Sequence, residues 1–170
     1  MISYTQRNPV CEALAYKFSA AFAKRGKSVW LDVEMRRRDE AAMEEGVKHS
    51  RCVIAIVSGP SKDPQNPDGN PEDNAYFKRP FCLKELRWAV EAGVPIQPIV
   101  AAEDKAKISE FFAMIPSDLH HLGGVNWEHI DRKDNDYFEL GVTKVIRAAG
   151  IGSALRTARL GEIHPEPGPE

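Results

Sequence analysis

The stretch Cys52-Val53-Ile54-Ala55-Ile56-Val57-Ser58 is almost continuously apolar. A strand at the centre of a parallel sheet has this composition, because helices cover both of its faces. A polar loop at 59–80, rich in Pro, Asn and Asp, follows the strand, and a helix-like run follows the loop from Phe81 to Ala89. This order of strand, loop and helix predicts one unit of an open α/β sheet.

Strand and helix signals alternate over the rest of the chain as well. Predicted strands lie at 1–4, 28–32, 52–58, 94–100 and 125–127. Predicted helices lie at 9–24, 39–49, 81–93, 105–114 and 136–149. Pro95 and Pro98 lack the amide hydrogen that a strand donates, so they predict a sheet edge or a bulge for the fourth strand. We therefore expect an α/β fold with a five-stranded parallel sheet, flanked by helices and joined by right-handed crossovers.

The composition is that of one globular domain. The chain has 170 residues, of which 42% are hydrophobic and 28% are charged, which is enough for a single core. We expect the domain to span 1–149 and the Gly-, Pro- and charge-rich segment 150–170 to be a partly disordered tail. The net charge of -2 predicts no general attraction to nucleic acid or to anionic membranes. No apolar run is long enough to cross a bilayer.

Cysteine and histidine spacing gives no sign of a metal site. Cys11, Cys52 and Cys82 are odd in number and widely spaced, which fits neither a disulfide framework nor a zinc site. The histidine pair at 120–121 and His129 lack a carboxylate partner on the same face, so no metal is expected. The N-terminus lacks a basic region followed by an apolar core, and we expect a cytoplasmic protein.

Several other α/β classes are excluded by motifs that the sequence lacks. No Gly-x-Gly-x-x-Gly follows the first predicted strand, which argues against a redox dinucleotide fold, and there is no P-loop. A phosphoacceptor regulator would carry an acidic cluster after its first strand and an aspartate after its third, where Ser58 stands.

One carboxylate, Glu85, lies inside the apolar helical run. Loops at the carboxyl ends of strands form the ligand crevice of open α/β sheets, and this helix follows such a loop. The ordinary interpretation of a lone helical glutamate is a solvated side chain paired with Lys84 or Arg87. The flanking pattern instead predicts that Glu85 faces the crevice, at the surface, while the opposite face of the helix lines the core. The residues predicted for that core face are Phe81, Leu83, Leu86 and Val90.

Five segments of the chain carry a resemblance to a known family. In chain order they are Ile2-Ser3-Tyr4, Val29-Trp30-Leu31-Asp32-Val33-Glu34, Ile54-Ala55-Ile56-Val57-Ser58, Phe81-Cys82-Leu83-Lys84-Glu85-Leu86 and Ile96-Gln97-Pro98-Ile99. Over residues 1 to 149 the sequence resembles a Toll/interleukin-1 receptor (TIR) domain. The resemblance implies that family's flavodoxin-like fold, a five-stranded parallel sheet flanked by helices, which agrees with the pattern of strands and helices.

The TIR family contains two functional classes. Some members cleave NAD at the nicotinamide-ribose bond with a glutamate in the helix after the third strand, and others are adaptors that only bind other TIR domains. Glu85 stands at the catalytic position, four residues after Phe81, where many active members have Trp. The resemblance therefore implies an NAD+ hydrolase or cyclase in immune or cell-death signalling, with NAD as substrate and no cofactor. The alternative is a non-catalytic module that acts by homotypic self-association.

Five residues are candidates for substrate binding. Thr5 stands where an active animal member has an arginine, so Arg7 becomes the candidate for the NAD diphosphate; an exposed surface arginine is an equal interpretation. Asp32 would order the loop that follows it or bind a ribose hydroxyl. Ser58 would contact a ribose or phosphate, or simply end its strand. Phe81 would stack on the ligand or pack in the core.

A basic run, Arg36-Arg37-Arg38, follows the second predicted strand. Such a run is usually a solvated charge cluster. The alternatives are a phosphate contact or a surface for self-association. If the protein assembles, we expect the contacts to form at 35–38 and at 59–80.

Overall fold

The computed structural model describes residues 1–31 and 39–151. Within them the strands are β1 (Ile2–Tyr4), β2 (Val53–Ile56), β3 (Ile96–Ala101) and β4 (Glu128–Ile130). The α-helices are α1 (Pro9–Ala23), α2 (Glu40–Lys48), α3 (Pro80–Glu91), α4 (Ile108–Met114) and α5 (Asn135–Ala148). Short 3-10 helices lie at Pro71–Asn74, Tyr76–Lys78, Ala102–Lys107 and Ser117–Gly124. The alternation predicted from the sequence is confirmed, and from residue 152 on the predicted tail lies outside the described residues.

The sheet has four parallel strands in the order β1-β2-β3-β4. The prediction of five strands is wrong for the described part of the chain, because 28–31 form no strand. A backbone hydrogen bond of 3.1 Å runs from the Ile2 N–H to the Trp30 carbonyl. A ladder requires such bonds to repeat along both segments, so this contact places the segment beside β1 without making it a strand.

Strand β3 lies inside the sheet, between β2 and β4, so the edge position predicted from its prolines is wrong. The Val53 N–H donates to the Pro95 carbonyl at 2.8 Å. The Val57 N–H donates to the Ile99 carbonyl, also at 2.8 Å. Odd-numbered residues of β3 therefore bond to β2, and alternate residues of a strand direct their backbone groups to opposite neighbours. The missing amide hydrogen of Pro98 consequently falls on the β4 side.

The same proline explains why β4 begins later than predicted. Pairing starts where Ile99 lies opposite Glu128, so the strand predicted at 125–127 is found at 128–130. Before that point a side chain replaces the ladder. Gln97 Nε2 donates to the carbonyls of Pro98 and Asn126, each at 2.9 Å.

Helix α1 begins and ends where its capping residues predict. Asn8 Oδ1 accepts hydrogen bonds from the backbone N–H groups of Val10 and Cys11, at 3.0 and 3.3 Å. Pro9 occupies the first turn, where an amide hydrogen is not needed. Gly26, with φ of 65°, takes the left-handed conformation that ends the helix. The chain then turns back toward β1.

Helices cover both faces of the sheet. On one face, β1 and β2 pack against α1 and α5, and the Phe18 and Phe138 rings meet edge to face with centroids 5.4 Å apart. On the other face, Ala55 and Val57 of the β2 segment pack against α3 and α4. Glu85 of α3 is therefore on the face of the sheet opposite α1.

The polar segment 59–79 is not wholly exposed. Tyr76 is fully buried, and Ala75 and Phe77 beside it are buried as well. The Tyr76 N–H donates to the Ser58 carbonyl at 3.0 Å. This bond anchors the end of the segment to the end of β2 and brings the Tyr76 ring into the core next to α3.

Candidate active site

Helix α3 buries a stripe of side chains that includes the glutamate. The buried residues are Cys82, Glu85, Leu86, Trp88 and Ala89. The predicted core face is right for Leu86, which is buried, and for Leu83, which packs against the core, but it is wrong for Phe81 and Val90, which are 49% and 43% exposed. A shift of one residue turns a helical side chain by about 100°. An error of about one residue in the predicted helix face therefore explains why Glu85 lies in the interior and not in a surface crevice, as was predicted.

Glu85 is 4% exposed, and its Oε2 accepts a hydrogen bond of 2.5 Å from Ser3 Oγ. Ser3 lies in β1 and is itself buried, and its Oγ is 2.7 Å from Tyr76 Oη. An ionised carboxylate can only accept hydrogen bonds. With Glu85 ionised, the Ser3 hydrogen is directed to the carboxylate, so the Tyr76 hydroxyl donates to the Ser3 oxygen.

Tyr76 stays protonated in this environment. Burial raises the pKa of Tyr76 well above its usual value, and the neighbouring Cys82 and Glu85 raise it further, while the hydrogen bond with Ser3 opposes them. The phenol is consequently a hydrogen-bond donor at any pH at which the protein would be assayed.

Thr5 and Ser58 lie just beyond the carboxyl ends of β1 and β2. Both are buried, and the Thr5 hydroxyl has no hydrogen-bond partner within the described part of the chain, whereas the Ser58 hydroxyl interacts with the Cys11 thiol. A buried hydroxyl without a partner is rare, and a ligand would satisfy that of Thr5. Ser58 lies beside Cys11, and burial raises the pKa of that thiol to about 11. Cys11 is therefore an inert thiol and not a nucleophile.

Neither of two cavities among the described residues is lined by both Ser58 and Glu85. Ser58 lines a cavity of about 330 Å³ at the carboxyl ends of β2 and β3, together with Asn8, Cys11 and Phe111. A second cavity, of about 610 Å³, lies at the opposite end of the sheet. Glu85 is among the lining residues of neither.

Arg7 is engaged by the loop that follows β2. Its Nη1 lies 2.9 Å from Asp63 Oδ2, and 44% of its side chain is exposed. Asn74 Nδ2 donates to the Arg7 carbonyl at 3.0 Å and to Ser61 Oγ at 2.9 Å. The loop between β1 and α1 is therefore joined to the segment after β2, and the Arg7 guanidinium is paired with a carboxylate of that segment.

The remaining candidates are Phe81, Asp32 and the basic run at 36–38. Phe81 is 49% exposed, so its alternative role in the core is excluded. Lys84 Nζ lies 5.4 Å from the centroid of the Phe81 ring. Asp32 and the basic run at 36–38 lie outside the described residues.

Among solved structures, the chain is similar to the TIR domains in the structure of the activated Roq1 resistosome directly recognizing the pathogen effector XopQ. The TM-score is 0.55 and the sequence identity 12%, over 86% of this chain and 95% of that chain. This chain has the TIR fold. The resemblance inferred from its five sequence segments is confirmed at the level of the fold. No protein-family model and no curated protein matches the sequence.

The TIR fold brings two residues to Glu85 that sequence reasoning missed. Ser3 belongs to a segment that carried the resemblance, but nothing marked its hydroxyl as a partner of Glu85. Tyr76 was assigned to a polar loop. The pair of aromatic residues at 76–77, unusual within such a loop, was the signal that could have revealed a buried anchor.

Within residues 1–31 and 39–151, no group of three or more His, Cys, Asp or Glu side chains is arranged to hold a metal ion. No helix of that part of the chain is both long and apolar enough to cross a bilayer.

Proposed function

We propose that this TIR-fold chain cleaves NAD at the nicotinamide-ribose bond, as an NAD+ hydrolase or cyclase, with Glu85 as the catalytic carboxylate. The observation that carries the proposal is the placement of Glu85, an ionisable side chain that is 4% exposed. Glutamate is almost never fully buried unless it is paired, and perturbed buried carboxylates cluster at functional sites. A solvated glutamate paired with Lys84 or Arg87 is excluded, because those residues bind Glu40 and Asp118.

The reaction needs stabilisation of positive charge on the ribose. As the bond between C1′ and the nicotinamide nitrogen breaks, its electron pair goes to nicotinamide, which leaves neutral, and the ribose becomes oxocarbenium-like. A carboxylate beside the ring would stabilise this charge or orient the ribose hydroxyls. Attack by water, with loss of a proton, would give ADP-ribose, and attack by the adenine of the same molecule would give cyclic ADP-ribose.

The residues proposed to bind NAD remain those predicted from the sequence: Thr5, Arg7, Asp32, Ser58 and Phe81. The unpartnered hydroxyl of Thr5 supports this role most directly, and Ser58 lines the cavity at the carboxyl ends of β2 and β3. Arg7 would have to exchange Asp63 for a phosphate. A dinucleotide that reached Glu85 and Ser58 together would have to extend around the end of the sheet, because the two residues share neither cavity.

A non-catalytic interaction module is the second candidate function, and the position of Glu85 outside both cavities favours it. A substrate must reach the carboxylate, yet Glu85 lines neither cavity. Catalysis therefore requires a rearrangement around α3 when NAD binds or when chains assemble. In an interaction module, Glu85 would instead fasten α3 to β1 through Ser3.

We further propose that the protein acts in the cytoplasm and is activated by homotypic self-association, in immune or cell-death signalling. The similarity to TIR domains of an activated resistosome supports this assembly. The burial of 75–77 restricts the proposed contact surface on the segment 59–80 to its exposed part.

Incubation of the purified protein with NAD at high protein concentration, followed by chromatography of the products, tests the proposal. Nicotinamide must appear together with ADP-ribose or its cyclic form in equal amounts. Absence of nicotinamide release, from protein shown by sedimentation to be assembled, would favour the interaction module.

A further inference from the structure

Three side chains from separate parts of the chain form the buried polar cluster around the proposed catalytic residue. Ser3 belongs to β1, Tyr76 to a 3-10 helix and Glu85 to α3. Ser3 is 73 positions from Tyr76 and 82 positions from Glu85, and both hydrogen bonds are buried. Hydrogen bonds of this kind are stronger away from water, and they fix the orientation of the groups they join.

We propose that Ser3 and Tyr76 are positioning residues: a directed hydrogen-bond chain from Tyr76 Oη through Ser3 Oγ orients the Glu85 carboxylate and keeps it ionised. The inference rests on the proposed function, because it assigns the reaction to Glu85. It deepens that function by naming two residues that act through the carboxylate without touching the substrate.

The direction of the chain follows from the number of hydrogens available. Ser3 has one hydroxyl hydrogen and gives it to Glu85 Oε2. Its oxygen then accepts the hydrogen of Tyr76. If Glu85 were protonated on Oε2, that hydrogen would be donated to Ser3 Oγ, the Ser3 hydrogen would turn toward Tyr76 Oη, and the phenol hydrogen would have to leave the 2.7 Å contact. A chain directed from Tyr76 to Glu85 therefore goes with the ionised carboxylate, and the hydrogen bond that Ser3 donates to Oε2 stabilises that form.

Other titratable groups act on the same cluster and must be considered in any pH dependence. The Met1 amine, which precedes β1, interacts electrostatically with Glu85; burial lowers its pKa, while Cys52 and Glu85 raise it. The Cys82 thiol, on the same helix as Glu85, interacts with Tyr76. Both groups are present in every variant below. Differences between the variants therefore report the effect of the Tyr76 and Ser3 hydroxyls alone.

The decisive variants are Tyr76→Phe, which keeps the buried ring, and Ser3→Ala. Each should lower kcat by about three- to tenfold, the effect of one hydrogen bond, with a small change in KM. The acidic limb of the kcat profile should move to higher pH, because a carboxylate that loses a donor becomes easier to protonate. The double variant should lose no more than Ser3→Ala alone, since Tyr76 acts only through Ser3.

A second readout does not depend on activity. Carboxyl ¹³C resonances of labelled glutamate, with Glu85 assigned from Glu85→Gln, report its titration directly. The midpoint should rise by about half to one pH unit in Tyr76→Phe. Ser50→Ala is the matched control, because its hydroxyl also donates within the structure, to the Gly46 carbonyl at 2.7 Å; it should leave kcat and the Glu85 titration unchanged.

The outcomes separate the two proposals. An active parent whose pH profile and Glu85 titration are unchanged in Tyr76→Phe would overturn the positioning role and leave NAD cleavage standing. Losses that add in the double variant would also overturn it. A parent protein that assembles but releases no nicotinamide would overturn the proposed function. If the Glu85 titration still shifts in Tyr76→Phe, the hydrogen-bond chain would then hold a structural carboxylate.

Discussion

At the residue scale, the burial of Glu85 sets how its replacement must be interpreted. The sequence pattern placed this side chain at a surface crevice, where replacement would hardly affect stability. Glu85 is 4% exposed and accepts a hydrogen bond from Ser3. Truncation of its side chain would therefore leave the buried Ser3 hydroxyl unpaired. Glutamine is the suitable replacement because it keeps an oxygen that can accept from Ser3.

We expect Glu85→Gln to reduce nicotinamide release by about two or more orders of magnitude, as removal of one preorganised electrostatic group does. The expected loss of folding stability is about 1 kcal/mol, measured by thermal or urea unfolding. Glu91→Gln, an exposed glutamate of the same helix, is the matched control and should retain full activity. Full activity in a folded Glu85→Gln variant would end the catalytic assignment.

A test of NAD binding by Arg7 must take account of its ion pair with Asp63. If it binds the diphosphate of NAD, Arg7→Ala should raise KM by roughly tenfold, equivalent to a charge-assisted hydrogen bond of about 1.5 kcal/mol. The ion pair with Asp63 offers another explanation for such an effect, because its loss would loosen the first loop. Initial-rate kinetics of both single variants distinguish these possibilities.

Asp63→Asn is the control for Arg7→Ala. Asparagine preserves the acceptor for the Gln65 N–H, which bonds to Asp63 Oδ1 at 2.8 Å, and it removes the charge that holds Arg7. If Arg7 binds NAD, this variant should lower KM or leave it unchanged. An equal rise of KM in both variants would show that the ion pair orders the loop and that Arg7 does not bind the diphosphate.

At the element scale, the junction of β3 and β4 depends on one buried side chain. Gln97 is 7% exposed and its amide satisfies the carbonyls of Pro98 and Asn126. Gln97→Leu should therefore lower the free energy of unfolding by about 1 to 3 kcal/mol, the cost of leaving buried acceptors unpaired. Chemical denaturation measures this loss directly.

Two further variants identify the cause of that loss. Gln97→Glu keeps the shape but removes the donor hydrogens, so it should destabilise at least as much as Gln97→Leu. Gln65→Leu, in an exposed loop, should change stability little. A stable Gln97→Glu variant would show that the amide bridge does not substitute for the missing ladder at Pro98.

At the scale of the whole molecule, the accessibility of Glu85 links assembly to activity. If self-association rearranges the surroundings of α3, specific activity should rise with protein concentration or with a crowding agent. Dilution series of the NAD assay, paired with sedimentation analysis, measure both quantities on the same samples. We expect Arg37→Ala to weaken assembly. Specific activity that stays flat over a wide dilution range would point to a self-sufficient monomer.

The elements of this protein could largely be predicted from local sequence. Asn8, Pro9 and Gly26 mark the ends of α1 through capping and backbone conformation, and the apolar run that contains β2 identifies a strand covered on both faces. These signals act between residues that are neighbours in the chain. The edge placement of β3 came from treating its prolines as local signals, although the effect of Pro98 depends on which neighbour its missing hydrogen faces. The start of β4 was predicted from residues 125–127 alone, although it depends on the pairing with β3.

The sequence by itself determined the α/β class, the order of most helices and strands, and the presence of a carboxylate in the helix after the central strand. Only the tertiary structure decided that Glu85 faces inward, that Ser3 and Tyr76 reach it, and that Ser58 lines a cavity to which Glu85 does not contribute. The reason is physical: periodicity locates an apolar stripe only to within about a residue, and one residue turns a helix by about 100°. Contacts between residues 73 and 82 positions apart arise from packing of the sheet and its helices, which no local pattern encodes.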